Sequence, residues 1–263
     1  LITDSGIEEL KSALVRDKVG LSISRIEMLS FRTDFDLDQH TGRIPVNISF
    51  FPRDKFSRAL KEMRTAFSAG LCVSNMVAIA GEGETLDLLT VPEGKTALAT
   101  VCSLVINGTL LKAGVPIDSR FGGILQIRNH KPIRFVELIH YAGSSVDPSE
   151  VFISAKMTSV GQATKDGCGK ILANFREIPA ICRPVAEEVI ARLKKAGLNG
   201  VLVIGETSEA VCEVQIELNR IGIVLLGGLN PVAAVTEAGI ECESRAMSTV
   251  LDYQNLIKFE ELI

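Results

Sequence analysis

The stretch TALATVCSLVINGTLLKA, residues 96–113, is apolar almost all round, and this constrains the fold more than any other feature. An element without a solvated face must be buried on most sides, so other layers have to surround it. The spacing predicts one helix over Thr96–Ala113, closed by Gly114. Thr100, Ser103 and Asn107 interrupt it at intervals of three and four, which puts them on one helical face. Burying three polar side chains costs free energy unless each finds a partner. A structural network could supply those partners, and so could a small polar ligand. Lys95 and Thr96 at the helix start add unpaired N–H groups and a positive dipole end, which suit an anion.

Around this element the chain reads as alternating helices and strands. Apolar Ile7, Leu10 and Leu14 predict a short N-terminal helix capped by Thr3 or Asp4. Alternation predicts strands over Ser24–Phe31 and Ile44–Phe51. Pro52 opens a helix with Phe56, Leu60, Met63 and Phe67 on its buried side, ended by Gly70. Strands follow at Met76–Ala80 and Leu86–Val91. A hairpin follows at Gly123–Arg128 and Ile133–Tyr141, turning at Asn129-His130. Asp147-Pro148-Ser149-Glu150 joins a capping acid, a first-turn proline and an acid at N3. From a strand at Met157–Ala163 onward the rhythm becomes βα: helix Pro184–Ala196, strand Gly200–Ile204, helix Ser208–Ile221, strand Ile223–Leu226, helix Asn230–Ala238 and strand Glu241–Met247. The expected class is α/β (α+β), with mixed sheets covered by helices. The expected divisions are a linker helix over 1–18, a first α+β subdomain over 19–150 and a second α/β subdomain with βα repeats over 151–263.

Composition narrows the function. The hydrophobic fraction is 46% and tryptophan is absent, so the core is aliphatic, as suits sheets covered by helices. The net charge is −4, and the densest basic run is Arg192, Lys194 and Lys195. A domain that grips DNA by itself needs a basic face, so direct DNA binding is not expected. No apolar run approaches the ~18 residues of a membrane span. The first ten residues read as a helix start rather than a signal peptide, and the missing initiator methionine is expected of a fragment. The six cysteines form no C-x-x-C pair and mostly sit in apolar surroundings, which predicts buried thiols in a reducing, cytoplasmic setting. His40, His130 and His140 are scattered, so no metal site and no cofactor is expected.

Among motifs, Gly167-Cys168-Gly169-Lys170 lacks the full spacing of a phosphate loop, and Ile171 stands where the hydroxyl residue belongs. Gly205-Glu206-Thr207 and Gly227-Gly228-Leu229-Asn230 lie between strands and helices, where tight turns account for them as well as a ligand crevice does. Arg120 and Arg176 stand among apolar residues and glycines and suit a carboxylate. For Arg176 the alternative is a pair with Glu177 or another acid. No nucleophile, base and orienter assemble, so no enzyme is expected. The candidate ligand residues are therefore Lys95, Thr100, Ser103, Asn107, Arg120 and Arg176.

Several phrases together resemble a known family. LITDSGIEEL at the start is similar to the end of a winged-helix domain. VPEGKTALATVCSLVINGTLLKAGVPI, FGGILQI, PIRFVELIHYAGSSVDPSEVF and ANFREIPA resemble the regulatory domain of the archaeal nitrogen regulatory repressor (NrpR) family. The resemblance implies a dimeric repressor of nitrogen-assimilation genes, relieved when 2-oxoglutarate binds the regulatory part. It implies DNA contact through a winged-helix head that this chain lacks, and, for some members, contact with general transcription factors. The competing readings are an enzyme domain for a small carboxylate or nucleotide, and a dimerisation or adaptor module without a ligand.

Overall fold

The computed structural model describes residues 3, 6, 7 and 22–263. The N-terminal helix and the linker expected over 1–18 fall largely outside the described residues. The first element described in full is helix α1 (Ser22–Arg32), where alternation had predicted a strand. Its buried residues Ser22, Ile26, Leu29 and Ser30 follow a helical period, and Met28 and Phe31 face outward.

Strand β1 (Arg43–Pro52) is buried along eight consecutive residues, because it lies inside a sheet covered on both faces. Helix α2 (Phe56–Ser68) buries Phe56, Leu60, Met63 and Phe67 as predicted, with Gly70 at φ +68° beyond it. Strand β2 (Met76–Ala80) and a small hairpin, β3 (Thr85–Leu86) and β4 (Leu89–Thr90), follow.

The long helix expected over Thr96–Ala113 is two elements, strand β5 (Lys95–Val101) and helix α3 (Leu104–Lys112). β5 lies between β1 and β2. Burial on both faces removes the alternation that would mark a strand, and Thr and Val at 96, 100 and 101 favour the extended chain. The hairpin of β6 (Asp118–Arg128) and β7 (Lys131–His140) turns at Asn129 and His130, both with positive φ. Helix α4 (Pro148–Ser154) starts at Asp147, whose Oδ1 accepts from the Ser149 backbone N–H at 2.7 Å.

The strand expected over Met157–Ala163 does not form, and residues from Val160 on build helix α5 (Val160–Asp166). Gly167 ends it at φ +72°, and Gly169 opens strand β8 (Gly169–Pro179). The glycines of the suspected phosphate loop are thus a helix C-terminus and a strand start. Helix α6 (Arg183–Lys195) and strand β9 (Val201–Ile204) agree with the sequence reading. The helix expected over Ser208–Ile221 is a loop that ends in strand β10 (Arg220–Leu226). That loop covers the sheet: a Cβ on Gly222 would stand 2.7 Å from Ile216 Cδ1 and 2.8 Å from Phe175 Cζ. Helix α7 (Asn230–Glu237), strand β11 (Glu243–Asp252) and strand β12 (Ile257–Lys258) complete the chain.

The strands build an α/β protein of two five-stranded sheets, ordered β11-β1-β5-β2-β12 and β7-β6-β8-β10-β9, together with the β3-β4 hairpin. The named strand pairs are antiparallel, so the helix–glycine–strand rhythm of the second half does not build a parallel sheet. Both sheets cross the division expected at residue 150. β6 and β7 pair into the sheet of β8–β10, and β11 and β12 return to the sheet of β1. Helix α3 carries the chain from one sheet to the other and α7 carries it back. Where they meet, a Cβ on Gly228 would stand 2.5 Å from the Val101 carbonyl oxygen and 2.6 Å from Asn47 Nδ2, so only glycine fits this approach.

Candidate functional site

Asn107 of α3 and Ser103 just before it point into the seam between the sheets. Asn107, one turn along α3, donates through Nδ2 to Ser119 Oγ on β6 at 3.0 Å and accepts from Arg176 Nε on β8 at 3.3 Å. Arg176 also donates through Nη1 to the Phe175 carbonyl at 3.0 Å and stacks over the Tyr141 ring, 5.0 Å from its centroid. Tyr141 donates its hydroxyl to Asn174 Oδ1 at 2.7 Å, and Asn174 Nδ2 donates to Ser103 Oγ at 3.0 Å. Ser103, Asn107, Tyr141, Asn174 and Arg176 are all buried.

This network borders a small cavity of about 20 Å³ between the sheets. One wall carries Asn47 of β1 with Ala246 and Met247 of β11. The opposite wall carries Asn174 and Arg176 of β8, Tyr141 and Asp147. Cys102, Ser103 and Leu104 come from the start of α3, and Gly228 and Leu229 from the start of α7. The space is narrow, with freedom for little more than a water-sized sphere.

Arg176 is 1% exposed. Among the described residues no Asp or Glu oxygen lies within 4.0 Å of its guanidinium, and its Nη2 makes no hydrogen bond. The expected alternative, a pair with Glu177, does not form because neighbouring residues of a strand point to opposite faces. Glu177 instead accepts from Arg220 Nε at 2.9 Å and lies 3.6 Å from Arg120 Nε. Burial pushes the Asp147 carboxyl above its ordinary range, against the Ser149 N–H and the Arg176 charge, which both favour ionisation. Burial also pushes the Cys102 thiol up to about 12 and raises the Tyr141 hydroxyl.

Of the six candidate residues, Ser103, Asn107 and Arg176 come together. Arg120 does not join them. It lies on the outer side of its sheet with Asp118, Glu177 and Glu217, whose charges outweigh burial and hold its guanidinium above its ordinary value. Lys95 sits at the far end of β5, roughly 20 Å along the strand from Cys102, and not at a helix N-terminus. Thr100 lies on β5 opposite Asn47, and its Oγ1 is a buried side-chain oxygen without a partner among the described residues. Sequence reasoning did not single out Asn47, Tyr141, Asn174 or Asp147 as ligand residues. Among the described residues no three His, Cys, Asp or Glu side chains gather as a metal group, and no helix is long and apolar enough to cross a membrane. The six cysteines are free thiols.

Residues 19–258 match the family model described as NrpR regulatory domains NRD1 and 2. The chain is 40% identical over 255 residues to the global nitrogen regulator NrpRI of Methanosarcina mazei, covering 97% of this chain and 78% of that protein. It is 30% identical over 253 residues to the global nitrogen regulator NrpR of Methanocaldococcus jannaschii, covering 96% of this chain and 42% of that protein. The fold is similar to the crystal structure of a nitrogen repressor-like protein from Methanococcus jannaschii, with TM-score 0.76, 28% identity and coverage of 91% of this chain and 98% of that one.

Proposed function

The chain belongs to the family of NrpR regulatory domains, and on that premise we propose that it senses 2-oxoglutarate through the cavity at Arg176 and relieves repression when the ligand binds. The observation that carries the reading is Arg176 itself. A guanidinium buried without an acidic partner is a costly arrangement, and it suits an anion that arrives from solution. Ser103, Tyr141, Asn174 and Asn47 surround it with hydroxyls and amides able to fix the second carboxylate and the ketone of 2-oxoglutarate.

The narrowness of the cavity connects binding to a change of shape. A five-carbon diacid enters only if the walls part, and those walls belong to different sheets. The ligand therefore prefers a conformation in which the sheets are set further apart, and that differential affinity is the switch. In the proposed repressor the chain is a homodimer, DNA is read by a winged-helix head, and general transcription factors are further partners. A two-fold operator then feels the change in sheet spacing as a change in head spacing. The net charge of −4 fits a domain that leaves phosphate contacts to another element.

Calorimetric titration of 2-oxoglutarate into the purified chain tests the reading. One site per chain is expected, and at one hundred times Kd the fold gains about 2.7 kcal/mol. A verified folded protein with neither heat of binding nor thermal shift at millimolar ligand refutes it. Recovery of a chemically altered metabolite would favour the enzyme reading instead.

A further inference from the structure

The cavity contains one fixed cation, Arg176, and one carboxylate of its own, Asp147, and both are buried. Two helices, α3 and α7, begin at its wall. The backbone N–H groups of Ser103 at the start of α3, and of Gly228 and Leu229 before α7, donate to no backbone or side-chain acceptor among the described residues, whereas the Leu104 N–H is turned to the Cys102 sulfur. Neither helix has a side-chain cap, since the N-cap residues Ser103 and Leu229 make no capping hydrogen bond. Orphan N–H groups at helix starts bind anions, and here the unpartnered Nη2 of Arg176 borders the same space. The donors for an anion are thus in place before any ligand arrives.

The charge count is less favourable. Without ligand, Arg176 and an ionised Asp147 sum to zero, although no direct salt bridge joins them. A dicarboxylate adds two negative charges, which leaves the filled cavity at net −2 if every group stays ionised. An uncompensated buried charge costs several kcal/mol. Protonating a carboxyl costs about 1.4 kcal/mol for each pH unit above its pKa, a penalty that burial lowers for Asp147 by raising its carboxyl. The ionisable neighbours of Asp147 leave it as the group that changes. Tyr141 and Cys102 are already held protonated by burial. Glu150, one turn along α4, is turned to β11, where it accepts from the Ala246 N–H at 2.6 Å and faces Arg25 and Arg245. Arg176, whose charge favours ionised Asp147 in the empty cavity, is taken over by the ligand.

We propose that the cavity takes up its dicarboxylate together with one proton from solvent, held on the Asp147 carboxyl. The proposal rests on the effector reading above and adds to it a pH-dependent affinity. No covalent bond forms, and the only transfer is a proton from water to Asp147.

The test is calorimetry of 2-oxoglutarate binding in phosphate and in Tris, whose ionisation enthalpies differ, between about pH 6 and about pH 9. Close to one proton per ligand is expected at the alkaline end, with affinity falling up to about tenfold per pH unit there. Asp147→Asn keeps a good capping residue and is expected to bind without proton uptake and with affinity nearly independent of pH. Should that variant fail to fold, infrared difference spectra of the wild-type chain at alkaline pH take its place, with a protonated-carboxyl band expected on addition of ligand. Binding heat that is the same in both buffers throughout the range, uptake that persists in Asp147→Asn, or absence of the carboxyl band overturns the proposal while leaving the effector reading standing. No binding of 2-oxoglutarate at any pH overturns both.

Discussion

Replacing Arg176 by methionine, similar in reach but uncharged, should separate ligand binding from folding. In the unliganded protein Arg176 has no carboxylate partner. The change removes a buried cation, one hydrogen bond to Asn107 and one to the Phe175 carbonyl. Losing the donor to Asn107 Oδ1 costs about 1–3 kcal/mol, and removing a buried cation that makes no direct salt bridge returns a comparable amount. Stability should therefore change by no more than about 2 kcal/mol, which at this chain length is a shift of roughly 4–8 °C or less. Binding should respond very differently. Truncating one member of a desolvated charge pair costs about 2–5 kcal/mol, which is about 30- to 5,000-fold in Kd. Thermal melts of the free variant, paired with calorimetry of 2-oxoglutarate, measure both quantities. A variant that loses more than about 4 kcal/mol of stability yet retains wild-type affinity would show Arg176 to be a structural residue and would refute the reasoning.

Three further expectations follow from the same geometry. Thr100→Val removes a buried hydroxyl that has no partner and should stabilise the fold by about 1–3 kcal/mol with ligand affinity unchanged, measured by denaturant unfolding and calorimetry; a loss of affinity would restore Thr100 to the site. Arg120→Ala should leave affinity unchanged and cost at most about 1 kcal/mol, because the cluster is partly solvated and Glu177 keeps Arg220. Asp147→Asn should raise the melting temperature of the unliganded chain at neutral pH. The folded carboxyl is held above its unfolded value, so its contribution is fully present below the unfolded pKa and is lost as pH rises through the folded one; the advantage of the variant should fade as pH falls towards about 4, and an advantage that grew on acidification would reverse the assigned sign.

Local chemistry was enough wherever an element had one wet and one dry face, or a turn with its own requirements. Helix α2 shows its stripe of Phe56, Leu60, Met63 and Phe67, the β6–β7 hairpin shows Asn129-His130, and α4 shows its Asp147-Pro148 start. The signal failed where the chain is dry on both sides. In β5 the residues that would alternate in a half-buried strand are all apolar or small, so the period of two disappears and a buried helix reads the same. The loop of residues 205–219 failed for another reason: it is held by covering Phe175 and Gly222 of the sheet beneath it, a contact no local period records.

The same division runs through the candidate site. A polar set in an aliphatic setting, and two arginines suited to a carboxylate, were visible in the residues alone, as was the family resemblance. Which arginine meets which acid was not. One step along β8 turns Arg176 inward and Glu177 outward, and β6 and β10 then bring Arg120 and Arg220 to the outward side. The companions of Arg176 come from elements far apart in the chain: Asn47 from β1, Asp147 from α4, and the free N–H groups before α7 from Gly228 and Leu229. Residue types and local periods are properties of short segments, so the chain carries them wherever it goes. A cavity is a property of the seam between two sheets whose strands interleave along the chain, and its charge balance exists only once those sheets have closed on each other.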